Sequence, residues 1–137
     1  MSAEQNKQIS RDLVEGLWNR RDWDVADKYV AADHLPQGPY SDQFPPGPEG
    51  VRQFAQVFIQ GFPDVYCTIE RQEADGDVVR SWLTFTGTHT GELMGIPPTH
   101  RTVTVRVLAT ERLANGKIIE SLTEWDPQDM LRQLGVG

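Results

Sequence analysis

Three histidines, at positions 34, 89 and 100, are the side chains of this sequence suited to taking and giving a proton near neutral pH. His34 follows Asp33 at the start of a proline-rich stretch, where either group could reach the mouth of a pocket and act as a general base. His89 sits in ThrHisThrGly (88–91), where catalysis competes with the plainer role of stabilising a turn. His100 follows ProProThr in another turn and is expected to face solvent. The single cysteine, Cys67, lies in an apolar strand-like run without CxxC or Cys/His spacing, so it reads as a small buried hydrophobe and no metal site is expected. Glycines between 87 and 95 precede no helix and belong to a hairpin, not to a phosphate cradle. Arg52, near a helix start, could meet a ligand oxyanion or simply face water. Trp18, Phe54, Phe58, Phe62 and Phe85 could stack on a planar ligand or fill an ordinary core.

The bulk properties narrow the partners. At 137 residues, with 38% hydrophobic residues, the chain is expected to form one domain, 1–137, that buries its own core. The net charge of −7 is scattered, with no basic stripe to neutralise phosphates, which argues against nucleic acid. The polar start, MSAEQNKQISRD, has no signal-peptide core, and no later run is long and apolar enough to span a bilayer. A cytoplasmic protein without membrane contact is the expectation.

Helical periodicity dominates the first half. Ile9, Leu13, Val14, Leu17 and Trp18 share one face of a helix predicted over residues 4–20. A shorter helix is predicted from Trp23 to Ala32, with Asp22 as N-cap and Val25, Ala26, Tyr29 and Val30 inward. Residues 33–47 contain four of the nine prolines and read as a long loop, either a lid or an ordered connector. A third helix begins at Pro48, buries Val51, Phe54, Ala55, Phe58 and Ile59, and stops at Gly61. Beyond Asp64 the period becomes alternating, which predicts strands near 65–73, 77–87, 102–113 and 117–125 in one antiparallel sheet. Asp126 is placed to cap a last helix that returns Met130, Leu131 and Leu134 to the core and ends at Gly135.

Alternation also sorts each strand into two faces. Val79, Ser81, Leu83 and Phe85 share a face, as do Val103, Val105, Val107 and Ala109, and Ile119, Ser121, Thr123 and Trp125. These sets are apolar and include small residues, as a concave face with room for a ligand requires. The opposite face mixes Trp82, Leu108 and Leu122 with Thr, Arg and Glu, so it is expected to pack against the same face of a second copy.

An ordered set of motifs then carries a resemblance over nearly the whole chain: ProGlyProGluGly (46–50), PheProAsp (62–64), GlyThrHisThrGlyGluLeuMetGlyIleProProThr (87–99), AsnGlyLysIleIleGlu (115–120), TrpAsp (125–126) and ArgGlnLeuGly (132–135). They resemble the SnoaL-like polyketide cyclases, within the nuclear-transport-factor-2-like superfamily. The resemblance implies a cone-shaped α+β barrel, a curved antiparallel sheet wrapped around N-terminal helices, an apolar cavity, and chemistry without metal or organic cofactor. Cyclases of this kind close a ring by intramolecular aldol condensation, with an aspartate and a histidine managing the protons. Aligned on Arg112 and GlyLys (116–117), the aspartate falls on Thr123, the histidine of its GluHisTrpAsp pattern on Ser121, and the cavity histidine of the preceding strand on Ala109.

A threonine hydroxyl is no base near neutral pH, and alanine has no proton to exchange. Asp126 lies off the inward parity of its strand and reads as the cap. The leading expectation is therefore an enzyme that modifies an aromatic polyketide without cofactor, by hydroxylation rather than aldol closure. Two others stand beside it: a cyclase whose base has moved to His34 or Asp33 in the loop, and a module that binds without turnover. The pocket is expected to be lined by Trp18, Phe54, Phe58, Leu83, Phe85, Val107, Ala109, Ser121, Thr123 and Trp125 and to take a small hydrophobic, aromatic ligand.

Overall fold

In the structure, a computed structural model that describes residues 2–136, the apolar face of helix α1 (Ala3–Trp18) lies against a curved sheet. Ser2 starts α1 with a capping box, in which its hydroxyl accepts from the Gln5 amide at 3.1 Å and its own amide donates to the Gln5 side chain at 2.8 Å. The helix ends two residues before the expected position, and Arg21 follows in a left-handed conformation (φ 57°). Helix α2 (Asp24–Tyr29) is also shorter than expected, because Val30 already has extended angles.

Val30 opens a strand that alternation did not reveal. Strand β1 (Val30–Gln37) takes up the beginning of the predicted proline-rich loop. It is followed by a single 3-10 turn (Ser41–Gln43) and by α3 (Gly47–Gly61). The remaining elements match the alternating pattern: β2 (Tyr66–Asp75), β3 (Val78–Thr88), β4 (Thr102–Ala114), β5 (Lys117–Glu124), then α4 (Pro127–Leu134). Asp126 caps α4 through the Gln128 amide at 3.0 Å, and Gly135 closes it with φ 80°.

The five strands run in the order β1-β5-β4-β3-β2. All pairs are antiparallel except β1 with β5, which is parallel, so the sheet is mixed and not the antiparallel sheet expected. Pro36 is tolerated there because β1 is an edge strand, in which a nitrogen facing away from the neighbour forfeits no ladder bond. A second correction falls in β5. Leu113 pairs with Ile118 while Arg112 pairs with Glu120, so Ile119 is passed over in a bulge and Ile118, not Ile119, enters the core.

Three apolar clusters follow one another along the concave face, as the order of residues on β3 shows. Val79 joins Ile9, Leu13, Leu113 and Ile118; Leu83 joins Val14, Cys67 and Ala109; Phe85 reaches the cluster of Phe58, Phe62, Val103 and Met130. On the convex face, Trp82 and Leu108 are half-buried and cross-strand partners, Leu122 is exposed, and the Arg71 guanidinium stacks 4.6 Å from the Trp82 ring.

Candidate functional site

Between the helices and the concave face lies a cavity of about 190 Å³. All the residues expected around a pocket border it: Trp18 from α1, Phe54 and Phe58 from α3, Leu83 and Phe85 from β3, Val107 and Ala109 from β4, and Ser121, Thr123 and Trp125 from β5 and its end. Their rings already contact one another. Trp18 meets Phe85 edge-on at 4.9 Å, Phe58 meets Trp125 at 5.9 Å and Phe54 at 5.0 Å. Gln37, Ser41 and Phe44 also border the cavity, and Gln37 is exposed, so the cavity meets solvent along the connection from β1 to α3. That connection is an ordered wall, with Tyr40 set against Phe58 and Trp125.

A polar stripe interrupts this apolar lining. Glu111 of β4 stands opposite Ser121 of β5, beside which β1 places His34, whereas Ser81 and its cross-strand partner Gln72 lie outside the lining. Gln72 donates to the Ser81 hydroxyl at 3.1 Å. The His34 Nε2 lies 2.7 Å from the Ser121 hydroxyl, and His34 itself is 1% exposed. Its Nδ1 has no hydrogen-bond partner among the described residues. Burial holds the imidazole below its ordinary pKa, which keeps it neutral and leaves a lone pair available near neutral pH.

Glu111 is the group that sequence reasoning missed. It lines the cavity, is 6% exposed, and its Oε1 accepts a hydrogen bond from Ser10 of α1. Burial pushes its carboxyl up to about 7, with the Ser10 hydroxyl acting in the opposite direction. The signal was present in the sequence, since the inward series Val103, Val105, Val107, Ala109 continues directly to Glu111.

Other expected groups are placed elsewhere. Asp33 is exposed and does not border the cavity. His89 is fully buried but outside the cavity lining: its Nδ1 lies 3.0 Å from the Thr99 hydroxyl and accepts the Thr99 amide at 3.2 Å, while its backbone amide donates to Arg101. It holds the 89–101 hairpin together, packed on Phe62. His100 is exposed, as expected. Arg52 is tied to Asp27 at 2.9 Å and Glu49 at 2.8 Å. Thr123 donates to the Gln37 carbonyl at 3.4 Å, a role its hydroxyl can fill where a base cannot be made of it. Among the described residues no His, Cys, Asp or Glu side chains gather in a group able to hold a metal ion, and no helix is long and apolar enough to cross a membrane.

Comparison with known proteins gives this geometry its context. The family model of the SnoaL-like polyketide cyclases matches residues 8–134. The chain is 31% identical to the nogalonic acid methyl ester cyclase of Streptomyces nogalater over 82% of its own length and 84% of that protein's. Among solved structures it resembles IdmH, a candidate polyketide cyclase from Streptomyces antibioticus, with TM-score 0.82, 32% identity, and 96% and 99% of the two chains covered. It likewise resembles AclR, a candidate hydroxylase from Streptomyces galilaeus, with TM-score 0.83, 26% identity, and 99% and 88% covered.

Proposed function

We infer, because the chain belongs to the SnoaL-like polyketide cyclase family, that its cavity binds a small aromatic polyketide and closes a ring on it with His34 as the base. The observation that carries this reading is the buried imidazole on the cavity wall, held by Ser121 at 2.7 Å. It supports a proton-transfer group relocated to β1, where Thr123 and Ala109 alone left hydroxylation as the leading expectation.

The chemistry follows from the ring. In the tautomer whose Nε2–H donates to Ser121, Nδ1 carries the lone pair and the ring is fixed by its other nitrogen. Nδ1 takes a proton from a carbon between two carbonyls, and the enolate carbon then attacks a second carbonyl carbon of the same chain. One carbon–carbon bond forms, one C=O π bond opens, and the new alkoxide is protonated, so the addition product is an isomer of the substrate. A cavity of about 190 Å³ is smaller than the roughly 300–1,000 Å³ usual for drug-sized ligands. It therefore encloses the reacting end, with the rest of the ligand extending past Gln37.

A second reading, insertion of one oxygen atom from dioxygen with the substrate itself as reductant, draws support from the similarity to AclR. One experiment separates the two. The protein is incubated with polyketides bearing a poly-β-ketone side chain, in air and anaerobically, with mass detection. An isomer formed without air, and slowed about 100- to 10,000-fold in His34→Ala, supports the cyclase. A product that has gained one oxygen atom and lost two hydrogens, the second oxygen of dioxygen leaving as water, formed only in air, supports the hydroxylase, and binding without product supports a module that only binds.

A further inference from the structure

We propose that Glu111, as its carboxylic acid, donates a hydrogen bond and then its proton to a carbonyl oxygen of the bound ligand, so that this end of the cavity selects neutral ketones and esters over carboxylates. The binding part stands on the cavity alone; the proton-transfer part rests on the ring-closing reading above.

Three observations place the group. Glu111 borders the cavity and is almost fully buried there. Ser10 donates to its Oε1, while Oε2 is bound by no described side chain, so the acid proton is free for a ligand. Its register partner on β5 is Ser121, the residue that holds His34. Facing groups leave it electrically alone. α1 presents Ser10, β3 presents Val79 and Ser81, and β5 presents Ser121; the titratable neighbour is His34 from β1, itself kept neutral. Arg11 of α1 is turned toward Gln72 and Glu15. With no cation to stabilise a carboxylate, burial keeps the proton on it up to about pH 7. A ligand carboxylate at that point would meet apolar walls and an acid about to ionise, whereas a carbonyl oxygen accepts the proton's hydrogen bond.

In the ring closure the step balances. As the carbon–carbon bond forms, the π electrons of the attacked carbonyl move to its oxygen, which takes the Oε2 proton. When the product leaves, His34 gives up its Nδ1 proton to water at the mouth of the cavity and the Glu111 carboxylate takes one back from water, so both groups return to their starting forms.

The test measures binding of 2-acetylnaphthalene, a neutral ketone, and 2-naphthoate, its carboxylate counterpart, to the full chain between pH 5.5 and 8.5. Quenching of tryptophan fluorescence is the signal, since Trp18 and Trp125 border the cavity. Wild type should prefer the ketone about 10-fold or more, and ketone affinity should fall by a similar factor as pH rises through about 7. Glu111→Gln should retain ketone binding through its amide donor and lose the pH dependence. Ser10→Ala, which removes the one interaction favouring ionisation, should move the midpoint upward, and it serves if the first variant does not fold. Equal affinity for the two ligands, or a pH dependence unchanged in both variants, overturns the proposal, as does failure of wild type to bind either ligand. Ketone selectivity in a protein that closes no ring would instead overturn the cyclase reading and leave the binding site standing. With a turnover substrate, Glu111→Gln should lower kcat about 100- to 10,000-fold at unchanged KM.

Discussion

Replacing Glu111 by glutamine should stabilise the protein at alkaline pH and leave it nearly unchanged in acid. The carboxyl sits at about 7 in the fold against an ordinary value of 4.5, a difference of roughly 2.5 pH units. At about 1.4 kcal/mol per unit this is about 3 kcal/mol. Between those two values the folded protein holds a proton that the unfolded chain has released, so folding stability falls as pH rises. Below pH 4.5 both states are protonated and the neutral glutamine has no advantage; above 7 the full difference is expressed. Urea unfolding of wild type and variant at pH 5 and pH 8 would read it as a change of about 2 to 3 kcal/mol in the gap between them, or roughly 10 °C in Tm for a domain of this size. The comparison must be with the variant and not across pH for wild type alone. His34 and His89 are both held below their ordinary pKa, so they contribute in the opposite sense, with stability lost as pH falls below about 6.5. A gap that is the same at both pH values would refute the reasoning, because it would mean that Glu111 ionises in the folded protein as freely as in the unfolded chain.

Other perturbations test the surrounding structure. We propose that the convex face with Trp82, Leu108 and Leu122 joins two copies; Leu122→Glu should then reduce the mass in sedimentation from twice 15.5 kDa to that of one chain, and a monomeric wild type would sink the idea. Gly50→Ala should destabilise by about 2 to 3 kcal/mol, because the added Cβ would fall 1.7 Å from the Pro45 carbonyl oxygen, a backbone atom that cannot move aside. Helix propensity alone predicts the opposite sign, a gain of about 1 kcal/mol, so thermal unfolding of this one variant decides between the two effects. Burial pushes the Cys67 thiol up to about 12, so alkylation by iodoacetamide at pH 8 should be negligible in the native state and rapid in urea. Fast native labelling would contradict its placement beneath Val14 and Leu83.

What the sequence allowed to be read was whatever repeats locally. Helical spacing located α1 and α3, and alternation located β2 to β5, because in both cases the burial that stabilises the element is written in neighbouring residues. Strand β1 has no such record. Its burial runs irregularly, it contains Pro36, and it is ordered by pairing with a strand more than eighty residues away, with a register shift between Val30 and Leu35. The bulge at Ile119 is equally silent, since Ile118 and Ile119 have the same side chain and only the pairing with Leu113 chooses between them. His34 could be placed inside the cavity only once β1 was known.

The proposed acid and base differ in how far they were hidden, yet both fit poorly with a purely structural account of the stripe. A neutral hydrogen bond such as that between Ser10 and Glu111 contributes about 1 kcal/mol to folding. Keeping the Glu111 carboxyl buried costs about 3 kcal/mol near neutral pH by the difference worked out above, so the bond does not offset the burial. The same holds for His34, whose Nδ1 is left without a partner in a wall that a leucine or phenylalanine would fill at no polar cost. Two titratable groups that destabilise the fold, on the two strands that flank Ser121 and both bordering the same cavity, support the proposed proton transfer to and from a ligand better than they support core packing. Thr123, Ser121 and Ala109 are therefore better read together with His34 and Glu111 than as losses. Where the related cyclases are expected to carry their aspartate and histidine on the last two strands, this chain has small side chains, and the proposed acid and base stand on the strands that flank Ser121.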